Sequence, residues 1–385
     1  MIIRDAEPTL KQLAQGYPVL TITGPRQSGK STLARTVFPN HPYVTLENPD
    51  QREFVQQDPR GFLHQYREGA IIDEAQRCPE LFSWLQGVVD EYKRPAHFIL
   101  TGSQQFGLLA GITQSLAGRV ALLNLLPFTS AELRRTKQLP NGIDKTLYMG
   151  SYPPIFDRHL DPSTWYANYA QTYLERDVRQ LIHLRDLSQF QRFLRLCAGR
   201  TGQLLNLTAL GEEAGISHNT AREWISVLEA SYIIHRLPPY HRNFNKRLVK
   251  TPKLYFIDTG LAVWLLGIES AQQLSTHPLR GALFETWIVA EHLKARFNIA
   301  RPSNLSFWRD RSGYEIDLLI EQAGQLLPIE IKSGSTVSRD ALRSLEKWRA
   351  IPGQEQAQLK LIYGGDATQK RSDVDLVSWQ GSFLK

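Results

Sequence analysis

Pro18-Val19-Leu20-Thr21-Ile22-Thr23 runs directly into Gly24-Pro25-Arg26-Gln27-Ser28-Gly29-Lys30-Ser31-Thr32. The first six residues read as a buried strand, the glycine-bounded stretch as a tight loop, and Lys30 onward as a helix. That order is the one a phosphate cradle needs. Backbone amides of residues 24–29 surround the phosphates, Gly29 permits their close approach, and the helix amino terminus adds positive potential. Lys30 is expected to reach the outer phosphates and the Ser31 hydroxyl to ligate Mg²⁺, with Thr32 as its neighbour and not a second ligand. Gly24, Pro25, Arg26, Gln27, Ser28, Gly29, Lys30, Ser31 and Thr32 are therefore the expected nucleotide contacts, and ATP with magnesium the expected cofactor.

Two further strands agree. Ala70-Ile71-Ile72-Asp73-Glu74 is an apolar run ending in two acids: Asp73 is placed to hold the magnesium through water, Glu74 to polarise an attacking water as general base. The other reading makes the pair a charge cluster at a helix amino terminus. His97-Phe98-Ile99-Leu100-Thr101-Gly102-Ser103-Gln104 is a second buried strand with a polar end, which would bring Ser103 or Gln104 near the γ-phosphate; Thr-Gly-Ser is equally ordinary turn chemistry. Short β-rich runs alternating with helical stretches specify an α/β class with a parallel sheet covered by helices.

The chain's 385 residues exceed one ordinary core, and its punctuation divides it into units of 1–155, 156–250 and 251–385. No apolar run approaches the roughly 20 residues that span a bilayer, and Met1-Ile2-Ile3-Arg4-Asp5 has none of the features of an export signal, so a cytoplasmic location without a membrane is expected. Cys78 and Cys197 are the only cysteines, too far apart for metal-ligand spacing, and read as reduced packing residues. A net charge of +7 permits a nucleic-acid partner without requiring one, since it is spread over the whole chain.

With these motifs in place, the chain resembles the AAA-type ATPases, over about residues 15 to 185. The likeness includes Ser115-Leu116-Ala117-Gly118-Arg119, Gly150-Ser151-Tyr152-Pro153-Pro154 and Tyr173-Leu174-Glu175-Arg176-Asp177-Val178-Arg179. These strings look like those of a large prokaryotic group of ATPases carrying a carboxy-terminal domain of restriction-endonuclease-like type. The resemblance implies a strand between the P-loop strand and the acid strand, and assembly as a homo-oligomer in which a neighbour supplies an arginine. Arg119 is the first candidate for that finger and Arg176 or Arg179 the alternates; Arg119 capping the helix that ends near Gly118 is the competing reading.

In the middle unit, residues 207–214 read as a helix, Gly215 as a turn, and Ser217 as the start of a second helix, the spacing of a helix-turn-helix. Ala221, Trp224, Ile225 and Leu228 fall on one face, leaving His218, Asn219, Arg222 and Glu223 where a recognition helix presents its side chains. His235-Arg236 and then His241-Arg242-Asn243-Phe244-Asn245-Lys246-Arg247 form a basic hairpin that could be a wing against phosphates, and the whole is expected to be a winged-helix unit. Glu212, Glu213, Glu223 and Glu229 temper its basicity, and such units also serve domain contacts alone.

The last unit carries Glu315-Ile316-Asp317 and Glu330-Ile331-Lys332 on two strands around a turn at Gln322-Ala323-Gly324. Alternation projects Glu330 and Lys332 from one face while Ile329 and Ile331 anchor the other. Leu283-Phe284-Glu285-Thr286-Trp287-Ile288 is an apolar helix with one embedded acid, which needs a partner or a metal. Glu285, Asp317 and Glu330 thus make a candidate magnesium cluster, with Asp317 and Glu330 as its ligands and Lys332 orienting a hydroxide or stabilising phosphorane charge. This set resembles the restriction-endonuclease-like nucleases, with Glu285, Asp317, Glu330 and Lys332 filling every motif position; Ile316 stands where proline is usual. Arg309 and Arg311 could contact a phosphodiester or be solvated.

These readings combine into an ATP-hydrolysing enzyme that engages nucleic acid, DNA in preference, and cleaves it with a tethered Mg²⁺-dependent nuclease. The alternative is a regulatory switch in which ATP controls assembly and the last two units only bind a partner.

Overall fold

The computed structural model describes residues 2–103, 115–174, 186–240, 250–310, 312–371 and 373–384. Its first unit is built on β1 (Val19–Thr23), β2 (Tyr43–Thr45), β3 (Ala70–Asp73), β4 (Phe98–Gly102) and β5 (Val120–Asn124). They lie in the order β2-β3-β4-β1-β5, every pairing parallel, so the acid strand β3 is separated from the P-loop strand β1 by β4 as expected. β1 is buried throughout because its residues alternate between two cores. Val19 packs with Ile72, Phe98 and Leu100 on one side, and Leu20 and Ile22 with Ile71, Ile99 and Leu123 on the other. Helices α1 (Glu7–Leu13), α2 (Lys30–Val37), α3 (Pro49–Gln57), α4 (Pro59–Gln65) and α5 (Leu81–Tyr92) belong to this unit. Asn48 and Asp58 start α3 and α4 by accepting from backbone N–H groups inside the first turn, each followed by proline at the first helical position.

Helices α6 (Ser130–Arg135), α7 (Ile143–Met149), α8 (Pro153–Asp157) and α9 (Pro162–Tyr169) lead out of the sheet. Then come α10 (Leu187–Ala198), β6 (Gln203–Leu204), α11 (Leu207–Ala214), α12 (His218–Ala230), β7 (Ile234–Leu237) and β8 (Lys253–Phe256). The three strands form a small antiparallel sheet in the order β6-β8-β7, so this unit takes a strand from beyond residue 250, the boundary expected from the sequence. Gly215 ends α11 in the left-handed region at φ 75°, and Ser217 caps α12 by accepting from the Thr220 N–H. Ala221, Trp224, Ile225 and Leu228 are buried and His218, Asn219, Arg222 and Glu223 exposed, the division the periodicity specifies.

After α13 (Thr259–Leu265) and α14 (Ala271–Leu274), the last unit runs α15 (Arg280–Asn298), β9 (Leu305–Arg309), β10 (Glu315–Gln322), β11 (Gln325–Lys332), α16 (Arg339–Arg349), β12 (Leu359–Tyr363), β13 (Gln369–Arg371) and β14 (Val374–Ser378). Its mixed sheet has the order β13-β14-β12-β11-β10-β9, antiparallel at β9-β10-β11 and parallel at β11-β12. Ala323 and Gly324 both have positive φ, as the two-residue turn of a tight hairpin requires, and Gln322 pairs with Gln325 across it. Between Ile316 and Leu319 the register of β10 against β9 slips by one residue, a bulge that contains Asp317. One continuous apolar core takes in Ile2 and runs from Leu126 to Phe383, so the middle and last units pack as neighbours and not as beads on a linker. No helix among the described residues is long and apolar enough to cross a membrane.

Candidate functional site

At the carboxyl edge of the parallel sheet lies a cleft of about 430 Å³, lined by Arg26, Gln27, Gly29, Lys30, Ser31, Thr32 and Glu74 on one side and by Ile2, Ile3, Phe128, Pro153 and Pro154 on another. Open α/β sheets place ligands at this edge. Gly24 is required here because a Cβ would fall 2.1 Å from the Leu125 carbonyl oxygen. Gly29 enters α2 at φ 92°, in the left-handed region. Lys30 is folded onto the loop, its ammonium donating to the carbonyls of Gly24 at 3.0 Å and Pro25 at 2.8 Å. Ser28 is fully buried with its hydroxyl unpartnered, and Arg26 stands 3.6 Å from Glu47.

Asp73 gathers the magnesium candidates. Ser31 Oγ donates to its Oδ1 at 2.8 Å, Thr101 donates to the same oxygen, and the Tyr43 hydroxyl donates to Oδ2 at 2.7 Å. Burial, followed by the hydrogen bond to Asp73 and the charge of that carboxylate, pushes the Tyr43 phenol well above its ordinary range, so it stays a donor. Glu74, at φ 55°, sits in the cleft and accepts from Gln76 and, at 3.2 Å, from Ser103. Ser103 is thus beside the expected base, while Gln104 lies outside the described residues. A hydroxyl and a carboxylate facing each other beside a phosphate cradle are the oxygen donors that suit Mg²⁺.

Three groups here carry no local signal in the sequence. Tyr43 sits on a short strand with no motif around it. Thr101 is an interior residue of the buried strand β4, where apolar periodicity alone gives it no site role. Arg4, in the amino-terminal segment, reaches the P-loop: Nη1 donates to the Ser28 carbonyl at 2.8 Å, Nη2 to the Leu126 carbonyl at 2.6 Å, and Nε pairs with Glu132 at 3.0 Å. Arg119 is not in this cleft. Its carbonyl accepts from the Val19 N–H at the entry to β1, the opposite end of the sheet, and its guanidinium grips Asp90 bidentately at 2.5 and 2.8 Å. Arg176 and Arg179 lie outside the described residues.

The acids of the last unit also converge. Lys332 Nζ is 2.6 Å from Glu330 and 3.6 Å from Asp317, and Asp317 Oδ2 accepts the Ile331 N–H at 2.8 Å. Burial and then the Asp317 charge raise the Glu330 carboxyl above its ordinary range, and Glu330 Oε2 is buried without a hydrogen-bond partner. Glu285 is also raised, by burial and then Asp317, but its partner is a different one: Lys253 at 3.0 Å, with the Tyr255 hydroxyl donating to the same oxygen. Lys253 bridges on to Glu315, which is 3.3 Å from Arg309. Burial opposes the Lys253 charge, but Glu285, Asp317 and Glu315 outweigh it and hold its ammonium above the ordinary range. The expected three-carboxylate magnesium cluster of Glu285, Asp317 and Glu330 is corrected accordingly: among the described residues no three His, Cys, Asp or Glu side chains are grouped to hold an ion, and the embedded charge of Glu285 is answered by a lysine from β8. Asp317 and Glu330 are the oxygen donors that the geometry offers a cation. Arg311 and the basic stretch 241–247 lie outside the described residues.

Residues 16–134 match the AAA domain family, 141–272 a domain of unknown function, DUF8612, and 280–380 a second one, DUF4143. The uncharacterized protein Rv2008c of Mycobacterium tuberculosis is 33% identical over 374 residues, covering 96% of this chain and 82% of that protein, and the uncharacterized protein Mb2031c of Mycobacterium bovis matches to the same extent. Among solved structures, the Walker-type ATPase PABY2304 of Pyrococcus abyssi is similar at 15% identity and a TM-score of 0.47, over 68% of this chain and 94% of that one. A single-substitution variant of RuvB from Thermotoga maritima is similar at 16% identity and a TM-score of 0.34, over 62% of this chain and 90% of that one.

Proposed function

The chain belongs to the family of the uncharacterized mycobacterial protein Rv2008c and carries an AAA-type P-loop ATPase domain, and from that premise we propose an ATPase whose nucleotide cycle serves nucleic-acid binding, and Mg²⁺-dependent cleavage, by the units that follow. The observation that carries the ATPase half is the Ser31 to Asp73 contact at 2.8 Å beside Lys30 and Glu74. Bound magnesium supplies charge neutralisation between the phosphates, and Ser31 and Asp73 would hold it. Lys30 leaves the loop carbonyls for the outer phosphates. Glu74, held by Ser103 and Gln76, accepts a proton from the attacking water.

For the later units the support is the order of elements. Helix, strand, helix, helix and hairpin over α10 to β8 follow a winged-helix plan, with His218, Asn219 and Arg222 on the exposed face of α12. The series α15-β9-β10-β11-α16-β12, with Asp317 in a bulge and Glu330 and Lys332 on β11, follows the restriction-endonuclease-like plan. The orphaned Glu330 Oε2 is the feature a divalent cation would satisfy, with Asp317 as its second protein ligand. The domain limits proposed from the sequence are 1–155, 156–250 and 251–385, with β8 pairing into the middle sheet from beyond the second limit. Arg119 is proposed as a finger only toward a second copy, which would have to draw it from Asp90.

A second reading has its own observation. Lys253, inserted between Glu285 and Glu315, neutralises part of the acid set from within the chain, which favours a switch whose last unit binds a partner without cutting. Incubating labelled DNA and RNA with the wild type, Lys30→Ala and Asp317→Ala/Lys332→Ala in magnesium and ATP separates the two. Cleavage lost in the double variant supports the nuclease; ATP turnover without cleavage of any substrate supports the switch. ATP turnover that survives Lys30→Ala would overturn the ATPase assignment.

A further inference from the structure

We infer that Arg4 is a positioning residue of the nucleotide site, which sets the direction of the Gly29 N–H by holding the carbonyl of the same peptide. This rests on the reading of residues 24–32 as the phosphate cradle. The Ser28–Gly29 peptide is a planar unit whose C=O and N–H point in opposite directions. Arg4 Nη1 takes the carbonyl at 2.8 Å from a buried position, so the N–H is turned away from Arg4, and Gly29 lines the cleft. A cradle works through such N–H groups, and one reversed peptide would put a carbonyl oxygen toward the phosphate.

Glycine is the reason a holder is needed. Gly29 stands at φ 92° and tolerates either sign of φ, so nothing on its own side opposes rotation of the preceding peptide. Arg4 is itself over-determined. Its three nitrogens go to three acceptors, Ser28, Leu126 and Glu132, and its guanidinium lies over the Phe128 ring at 4.9 Å. Glu132 is fixed in turn by a capping box with Thr129 and by the Asp5 N–H at 2.6 Å. Three acceptors in separate directions suit a planar fork and not an ammonium, so lysine is a poor replacement.

The test uses the full chain. Displacement of a fluorescent ADP analogue by ADP and by AMP is measured for wild type, Arg4→Gln and Arg4→Lys, with folding checked by circular dichroism without nucleotide. Arg4→Lys keeps a cation opposite Glu132 and decides the matter where Arg4→Gln does not fold. ADP affinity is expected to fall at least ten-fold and AMP affinity to stay within two-fold, and the KM for ATP to rise more than kcat falls. ADP bound as tightly as by wild type would overturn the inference, and so would AMP weakened in step with ADP, which would mark Arg4 as a general element of the fold. Independently of any variant, ADP should shift the amide resonance of Gly29 in glycine-labelled wild type, and an unmoved Gly29 signal overturns the inference. A wild type that binds no ADP would instead remove the nucleotide reading, and the inference with it.

Discussion

The hydroxyl of Tyr232 stands 2.8 Å from the hydroxyl of Thr23, the residue that ends β1 and precedes Gly24. Tyr232 follows α12 at φ 56° and also donates to Asn124 at the end of β5, at 2.9 Å. The segment that follows α12 and the strand β1 thus share one buried polar contact. Thr23 and Asn124 also bond each other at 2.6 Å, so removing the Tyr232 hydroxyl orphans neither. Tyr232→Phe is therefore expected to cost only about 1 kcal/mol in chemical denaturation, within the range of one net hydrogen bond. A loss above about 3 kcal/mol would show that the contact organises more of the interface than its own bonds.

Lys30→Ala should lower ATP turnover about 100-fold or more, because it removes a preorganised charge from the phosphates. Glu74→Gln should retain ATP binding while losing about 100-fold or more in kcat, the share expected of a general base. Tyr43→Phe isolates one of the residues that the sequence did not disclose. Asp73 keeps Ser31 and Thr101 on Oδ1 but loses its donor on Oδ2, so kcat should fall several-fold with nucleotide affinity retained. Steady-state ATPase assays and nucleotide titrations of the three variants check this, and a Tyr43→Phe enzyme identical to wild type would make its bond to Asp73 incidental.

The parts of this chain that were legible are those in which one local rule decides. Residues 18–31 had to be strand, loop and helix because their apolar run, glycines and lysine follow a backbone requirement, and Gly215 with Ser217 marked a helix end and a helix start. What stayed hidden was pairing at long range. Nothing near Glu285 in the sequence points to Lys253, 32 residues earlier, and the two meet only because β8 lies against α15. Arg4 and Glu132 are separated by 128 positions, and the capping box that Glu132 closes with Thr129 signals a helix start and nothing about Arg4. A bulge such as that at Asp317 depends on its partner strand β9, so alternation along β10 alone could not reveal it.

The Lys253 contact can be tested through stability. Lys253→Met leaves Glu285 with the Tyr255 hydroxyl alone and Glu315 with Arg309, in a site that already raises the Glu285 carboxyl. Breaking one side of a buried pair costs about 3–5 kcal/mol. Adding Glu285→Gln should recover most of that loss, since the stranded charge goes with it. Urea unfolding of the two single variants and the double variant gives the coupling directly. Additive losses would mean that Lys253 and Glu285 do not act as a pair.

Acid should destabilise the protein through His292, which is buried, and His235, which is half-buried. Burial, then the neighbouring Lys360 charge, depresses His292 to about 3, and burial depresses His235 to about 4, with Glu229 opposing and Arg236 assisting. Unfolded, both bind a proton near pH 6.5, their ordinary value. Between there and their folded values the unfolded state therefore carries more protons, and stability rises with pH. Their contribution is fully present above about pH 6.5 and is lost as pH falls toward 4 and then 3, at a limiting slope of about 1.4 kcal/mol per pH unit for each. His292→Leu removes one titration. Its unfolding free energy, followed from pH 7 to pH 5, should fall less steeply than that of wild type, and parallel slopes would show that His292 becomes charged within the fold.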